Sequence, residues 1–137
     1  MKKTIFLQDG KAIWLKGNIH SHTLFSDGSL TPEEMKEAYV HHGYDFLAVT
    51  DHDVYTDTRK LTDAKFTMLQ GFELWANAPD DKDIHINFLW ADHIDGIADK
   101  QVLHLPERTG GQTTAFCYKM KEKGAYIQLN HPHWSML

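Results

Sequence analysis

The sequence predicts a parallel α/β fold. Three observations carry the prediction. Phe46-Leu47-Ala48-Val49 is an unbroken apolar run, suited to a strand buried on both faces. Strand-like and helix-like segments alternate, so that residues 17–53 read as a strand–helix–strand unit. Polar clusters rich in histidine and acid stand beside the short apolar runs: His20-Ser21-His22, Thr50-Asp51-His52-Asp53, Gly71-Phe72-Glu73 and Asn130-His131-Pro132-His133. Strand ends that converge on one place can build a site from residues far apart in the chain.

The elements follow in order. Ile5–Leu7 and Ala12–Leu15 flank Asp9-Gly10, a hairpin signal. Gly17–His22 reads as a strand ending in the first histidine pair. Thr31-Pro32-Glu33-Glu34 opens a helix: Thr31 can cap, Pro32 fits the first helical position, and Glu34 completes a capping box. Met35, Ala38 and Tyr39 give its apolar face, and Gly43 ends it. Phe66–Glu73 is the next expected strand. Ile84–Ala91 alternates, with Ile84, Ile86, Phe88 and Trp90 on one face and His85, Asn87 and Leu89 on the other. Residues 92–112, with Asp92, Asp95, Gly96, Pro106, Gly110 and Gly111, suggest a long loop or an insertion. Thr113 or Thr114 can cap a helix to Lys123, closed by Gly124, before a last strand at Ala125–Leu129.

The 137 residues suit one domain with a real core, and 42% hydrophobic content argues against disorder. With 14 basic and 19 acidic residues the net charge is −5, and no basic stripe advertises nucleic-acid binding. Cys117 is the single cysteine, which excludes an internal disulfide and a cysteine-based zinc site; its place is in the helix packing. The apolar stretch after Met1 stops at Gln8-Asp9-Gly10, too short for a signal peptide, and no run is long enough for a membrane span. The expected location is cytoplasmic.

Ten histidines are the anomaly of the composition, and histidine is the commonest metal ligand. Residues two apart in a strand share a face, so His20 and His22 can grip one ion, with Asp27 in Ser26-Asp27-Gly28 close behind. His52 follows a buried strand, with Asp51 and Asp53 placed to orient it. Glu73 offers two oxygens that can bridge cations. His85 faces away from the isoleucines, where a buried imidazole needs a partner. His131 is held extended by Pro132, and His133 can serve as ligand, proton donor or substrate contact. Asn130 and Trp134 are placed to line the pocket. His41, His42, His93 and His104 lack such context and read as structural or solvated.

Together, His20-Ser21-His22, Ser26-Asp27-Gly28, Thr50-Asp51-His52, Gly71-Phe72-Glu73, His85 and His131-Pro132 resemble the PHP family, named for polymerase and histidinol phosphatase. The resemblance implies a distorted (β/α)7 barrel with up to three metal ions at the carboxyl end of its strands. It implies His20, His22 and Glu73 on a first metal. Glu73, His85 and His131 fall on a second, and Asp27 and His52 on a third. The family completes its site with a late Asp-x-His, and nothing after His131 supplies one here, so only the amino-terminal part of a barrel is expected. Lys16–His20, His85–Phe88 and Asn130–Trp134 are also similar to a branch that includes carbamate, ester and phosphodiester hydrolases.

The expected activity is phosphoester hydrolysis by a hydroxide bridging metal ions, with Glu73 holding the ions and His133 donating a proton to the leaving oxygen. Mixed imidazole and carboxylate donors suit Zn, Mn or Fe. The expected substrate is a small phosphoester or a short nucleotide. Two alternatives use the same residues: a carbamate, ester or amide hydrolase, and a non-catalytic metal-binding module with a structural or regulatory role.

Overall fold

The computed structural model describes residues 13–77, 83–91 and 94–132. Most of the hairpin expected around Asp9-Gly10 lies outside them. One curled sheet has the strand order β1-β2-β3-β4-β5, with β1 at Gly17–Asn18, β2 at Phe46–Ala48, β3 at Thr67–Asn77, β4 at Asp83–Trp90 and β5 at Tyr126–Leu129. Helix α1 (Pro32–His41) links β1 to β2, and α2 (Gly110–Glu122) precedes β5.

The sheet is mixed, not parallel throughout. β1, β2 and β3 run parallel, but β4 runs against both β3 and β5. The short connection after Asn77 explains the reversal, since a parallel crossover needs a dozen or more residues. Because β4 is reversed, its amino-terminal end meets the carboxyl ends of the parallel strands. His85 therefore reaches the rim from the start of its strand.

Two apolar layers hold the outer face. Leu47, Val49, Phe66 and Met68 pack under Met35 and Tyr39 of α1. Phe72, Leu74, Ile86, Phe88 and Trp90 pack against Met120 of α2 and against Ile94, Ile97 and Leu105. The segment expected as a loop or insertion thus contributes to the core; Tyr55 N–H donates to the Gln101 carbonyl at 3.0 Å and fastens it. Ile86, Phe88 and Trp90 share this face as their alternation predicts. The opposite face carries Gly71, Glu73 and Trp75 on β3 and His85 and Asn87 on β4, with Glu73 opposite Asn87 and Trp75 opposite His85.

The helix ends follow local chemistry. Thr31 caps α1, accepting from Glu34 N–H at 3.1 Å while Glu34 accepts from Thr31 N–H at 2.8 Å. Gly43 takes the left-handed conformation at φ 71°. α2 starts earlier than expected: Thr109, not Thr113 or Thr114, is its cap. Two glycines in the first turn weakened the helical signal there. Cys117 is half-buried and packs against the larger apolar layer. No helix among the described residues is long and apolar enough to cross a membrane.

Candidate metal centre

The first histidine pair sits just beyond β1 on extended chain that continues beside β2. Ser21 points away from the pair and donates to the Ala48 carbonyl at 2.6 Å, while Thr50 N–H donates to the Ser21 carbonyl at 2.8 Å. Thr50 then orients His20. Its hydroxyl donates to the Ser21 carbonyl at 3.2 Å and lies 2.8 Å from His20 Nδ1. With the hydroxyl proton on the Ser21 carbonyl, Nδ1 is the donor and Nε2 keeps its lone pair. That Nε2 faces Glu73 Oε1 at 3.5 Å.

Residues 23–28 form a turn held from beneath by Asp51, which is fully buried. Asp51 accepts from Thr23 N–H (2.6 Å) and from the hydroxyls of Thr23 (2.8 Å), Ser26 (2.8 Å) and Thr56 (3.2 Å). The turn passes so tightly that a Cβ on Gly28 would lie 2.2 Å from the His22 carbonyl oxygen. It delivers Asp27, whose two oxygens lie 3.2 Å from His22 Nδ1 and 3.6 Å from His52 Nε2.

Glu73 is the hub. It is fully buried on the inner face of β3, and five imidazoles surround it. His20 (3.5 Å), His85 (3.2 Å) and His131 (3.4 Å) approach Oε1, and His22 (3.3 Å) and His52 (3.1 Å) approach Oε2. Four separate stretches of chain supply them. His52 lies beside Glu73 in a parallel bridge continuing the β2 side, and His131 leaves the end of β5. Close approach at Gly71 serves the backbone, not a metal: a Cβ there would lie 2.4 Å from the Phe88 carbonyl oxygen.

The donor set fits cations. A carboxylate oxygen and the bare nitrogen of a neutral imidazole are both acceptors, so their crowding needs a proton or a cation between them. Glu73 Oε2 and His85 Nδ1 are buried with no hydrogen-bond partner among the described residues. Three overlapping triads could each hold an ion: His20, His22 and Glu73; His22, Asp27 and His52; and His52, Glu73 and His85, with donor atoms within 4.8 Å of one another. These are oxygen and nitrogen donors of the kind that bind first-row divalent metals.

Local electrostatics favour the ligating forms of His20, His85 and Glu73, and the protonated form of His22. Burial pushes the His20 and His85 pKa values down, in spite of the Glu73 charge. Burial also acts to lower His22, but close contact with the Glu73 carboxylate and its charge outweigh it and raise that group. Burial acts to raise Glu73, yet close contact with His22 and the hydrogen bond from Asn130, with the neighbouring imidazoles, bring it down to about 2.

Seven of the eight expected site residues thus meet in one cleft, and His133 lies outside the described residues. Asp51 and Asp53 were expected to orient imidazoles, but their contacts lie elsewhere. Asp51 holds the 23–28 turn. Asp53, at φ 54°, pairs with Arg108 at 3.0 Å and accepts from Trp75 N–H at 3.1 Å. His41, His42 and His104 are exposed and take no part, and His93 and Trp134 lie outside the described residues. Two contributors stood inside motifs but carried no expected role: Thr50, which aligns His20, and Asn87. The signal for Asn87 was its two-residue spacing from His85 on the same strand face.

Comparison with known proteins agrees with this geometry. The PHP domain family profile matches residues 18–130. The DNA polymerase/3'-5' exonuclease PolX of Bacillus subtilis (strain 168) is 44% identical over 41 residues, covering 30% of this chain and 7% of that protein. A crystal structure from Bacteroides vulgatus ATCC 8482, a two-domain protein described as containing a predicted PHP-like metal-dependent phosphoesterase, is similar in fold. It has a TM-score of 0.59 and 21% identity over 89% of this chain and 36% of that one. A Bifidobacterium adolescentis ATCC 15703 structure, described as a candidate metal-dependent phosphoesterase, covers 54% of this chain and 27% of its own at 32% identity and a TM-score of 0.46. The chain therefore spans well under half the length of each of these proteins. With a family match running from the end of β1 to the residue before His131, the chain belongs to the PHP domain family.

Proposed function

We propose that this chain carries the metal-binding part of a phosphoesterase that acts on a small phosphoester or short nucleotide. The observation that supports it most is Glu73: a fully buried carboxylate ringed by five imidazoles at 3.1–3.5 Å, with one oxygen lacking a hydrogen-bond donor among the described residues. Up to three divalent ions, Zn, Mn or Fe, would be held by His20, His22 and Glu73, by Glu73, His85 and His131, and by Asp27 and His52. When bound, such ions act as Lewis acids and lower the pKa of water, so that phosphoryl oxygen is polarised and a nucleophile is available at neutral pH.

The chain's own residues do the rest. Glu73 joins the two halves of the cluster and holds the negative charge that offsets closely spaced cations. Thr50 holds the His20 proton on Nδ1, so Nε2 stays open to a ligand. Asp27, more than two-thirds exposed, marks the solvent side of the cleft where substrate enters. His133 follows the cluster directly in sequence and is proposed as the proton donor to the leaving oxygen.

The test is metal analysis with turnover. Purified protein should contain divalent metal and hydrolyse bis(p-nitrophenyl) phosphate faster than p-nitrophenyl acetate. Glu73→Ala and His22→Ala should each lose metal and phosphodiesterase activity together. Unchanged metal content in both variants would overturn the assignment.

A further inference from the structure

Glu73 is not symmetrical. Oε1 accepts a hydrogen bond from Asn130 Nδ2 at 2.7 Å, whereas Oε2 has no donor among the described residues. The same Asn130 nitrogen donates to Asn87 Oδ1, also at 2.7 Å, so both its protons are committed. Asn130 Oδ1 accepts from Gln128 Nε2 at 3.1 Å, and Asn87 Nδ2 donates to the Ile19 carbonyl at 3.1 Å. Each amide orientation is dictated by the next. Were Asn130 turned over, its oxygen would face two acceptors, Glu73 Oε1 and Asn87 Oδ1. Asn87 is fully buried and Asn130 nearly so. The chain of bonds runs from Ile19 beyond β1, through β4 and the end of β5, to β3. Its first and last links cross the concave side of the sheet between strands that are not neighbours, the β1 side with β4 and β5 with β3.

We infer that Asn130, held in place by Asn87, is the positioning residue that fixes the Glu73 carboxylate and makes its two oxygens unequal ligands. The inference rests on the metal-binding reading above. With one lone pair of Oε1 engaged by Asn130, Oε1 keeps a single lone pair for an ion on the side that His20, His85 and His131 approach. Oε2 keeps both for the His22–His52 side. The amide also stops the carboxylate from rotating, so its lone pairs point at the imidazole nitrogens before any ion arrives. Asn87 acts only through Asn130: it fills the second proton of the amide and thereby selects the orientation that offers nitrogen, not oxygen, to Glu73.

Zn(II) alone is the probe. Metal-free wild type, Asn130→Ala, Asn87→Ala and the double variant are titrated with Zn(II) against a chromophoric chelator, with circular dichroism to confirm folding. Loss of a metal-site orienting partner lowers affinity by about 10- to 100-fold. Asn130→Ala should lose that much in at least one binding step, and Asn87→Ala should lose affinity in the same step. The double variant should be no weaker than Asn130→Ala, because the two act in series. Asn130→Ser, small and still able to donate to Oε1, should recover part of the loss; it also carries the test if the alanine variant does not fold. Zn(II) affinity equal to wild type in folded Asn130→Ala overturns the inference, as do additive losses in the double variant. If wild type itself takes up no Zn(II), the metal-binding reading fails. If wild type binds and Asn130→Ala is unaffected, only this inference fails.

Discussion

Thr50 shows how much of a candidate metal site is decided one bond away from its donor atoms. It contributes no donor atom to an ion, yet with its single hydroxyl proton on the Ser21 carbonyl it accepts the His20 proton at Nδ1. Valine has nearly the same shape without the hydroxyl. Thr50→Val should therefore leave the fold in place and weaken Zn(II) binding by about 10- to 100-fold, read by chelator competition; unchanged affinity would show that His20 needs no such partner. Asp51 acts at the same scale for a different purpose. Its buried charge is offset by one N–H and three hydroxyl donors, all but one from the turn that carries Asp27. Removing it leaves those donors unmatched in a dry place, each costing about 1–3 kcal/mol. Asp51→Ala should lower the unfolding free energy by several kcal/mol in urea titration, whereas a surface loop acid would change it by less than about 0.5 kcal/mol.

At the scale of elements, the strand β4 is what distinguishes this sheet from a simple parallel array. Reversal lets a single alternating sequence serve two purposes: Ile86, Phe88 and Trp90 seal the outer layer while His85 and Asn87 enter the site. The entry to β3 is fastened separately. Asp63 accepts from Lys65 and Phe66 N–H at 2.8 and 3.0 Å and pairs with Lys36 of α1, tying that helix to the turn before the strand. The hydrogen bond from Lys36, with those backbone donors, pulls the Asp63 carboxyl down to about 2 from an ordinary 3.8. A depressed carboxyl stabilises the fold fully above its unfolded value, and that contribution is lost as pH falls through the folded value. The stability profile of the wild type should therefore slope downward between about pH 4 and 2. Asp63→Asn should remove part of the slope in acid titrations followed by circular dichroism. Identical profiles would mean that the Lys36 pair is fully screened by solvent.

Over the whole molecule, the sheet curls far enough that the ends of β1 and β5, at opposite edges, face each other across the concave side. The His20 and His131 rings stand 5.8 Å apart, and Asn87 reaches the Ile19 carbonyl. The interior is thus filled by imidazoles and amides, while the apolar layers lie outside under the two helices. On the proposed metal-binding reading such a molecule is under-stabilised without ions, because like-sign acceptors crowd its centre. Any group that binds only the folded state stabilises it, by about 2.7 kcal/mol at a hundredfold excess over Kd. Treatment with a chelator should lower the melting temperature by several degrees, and Zn(II) should restore it. A melting temperature indifferent to chelator in metal-loaded protein would contradict a shared cation centre.

By itself, the sequence determined the elements and the cast of donors. Phe46–Val49 had to be buried by its composition, Thr31-Pro32-Glu33-Glu34 had to start a helix by its capping chemistry, and the spacing of His20 with His22 and of His85 with Asn87 put each pair on one strand face. These are local consequences of backbone period and side-chain reach. Only the tertiary structure decided the rest. Whether β4 ran with or against β3 depended on the shortness of its connection and on which face of it could be buried. Whether Asp51 served an imidazole or a turn depended on donors up to twenty-eight residues away, Thr23 the most distant. The role of Asn87 and Asn130 around Glu73 required three strands and the curl of the sheet to bring four distant polar groups within hydrogen-bond reach, and no pattern along the chain encodes a distance across it.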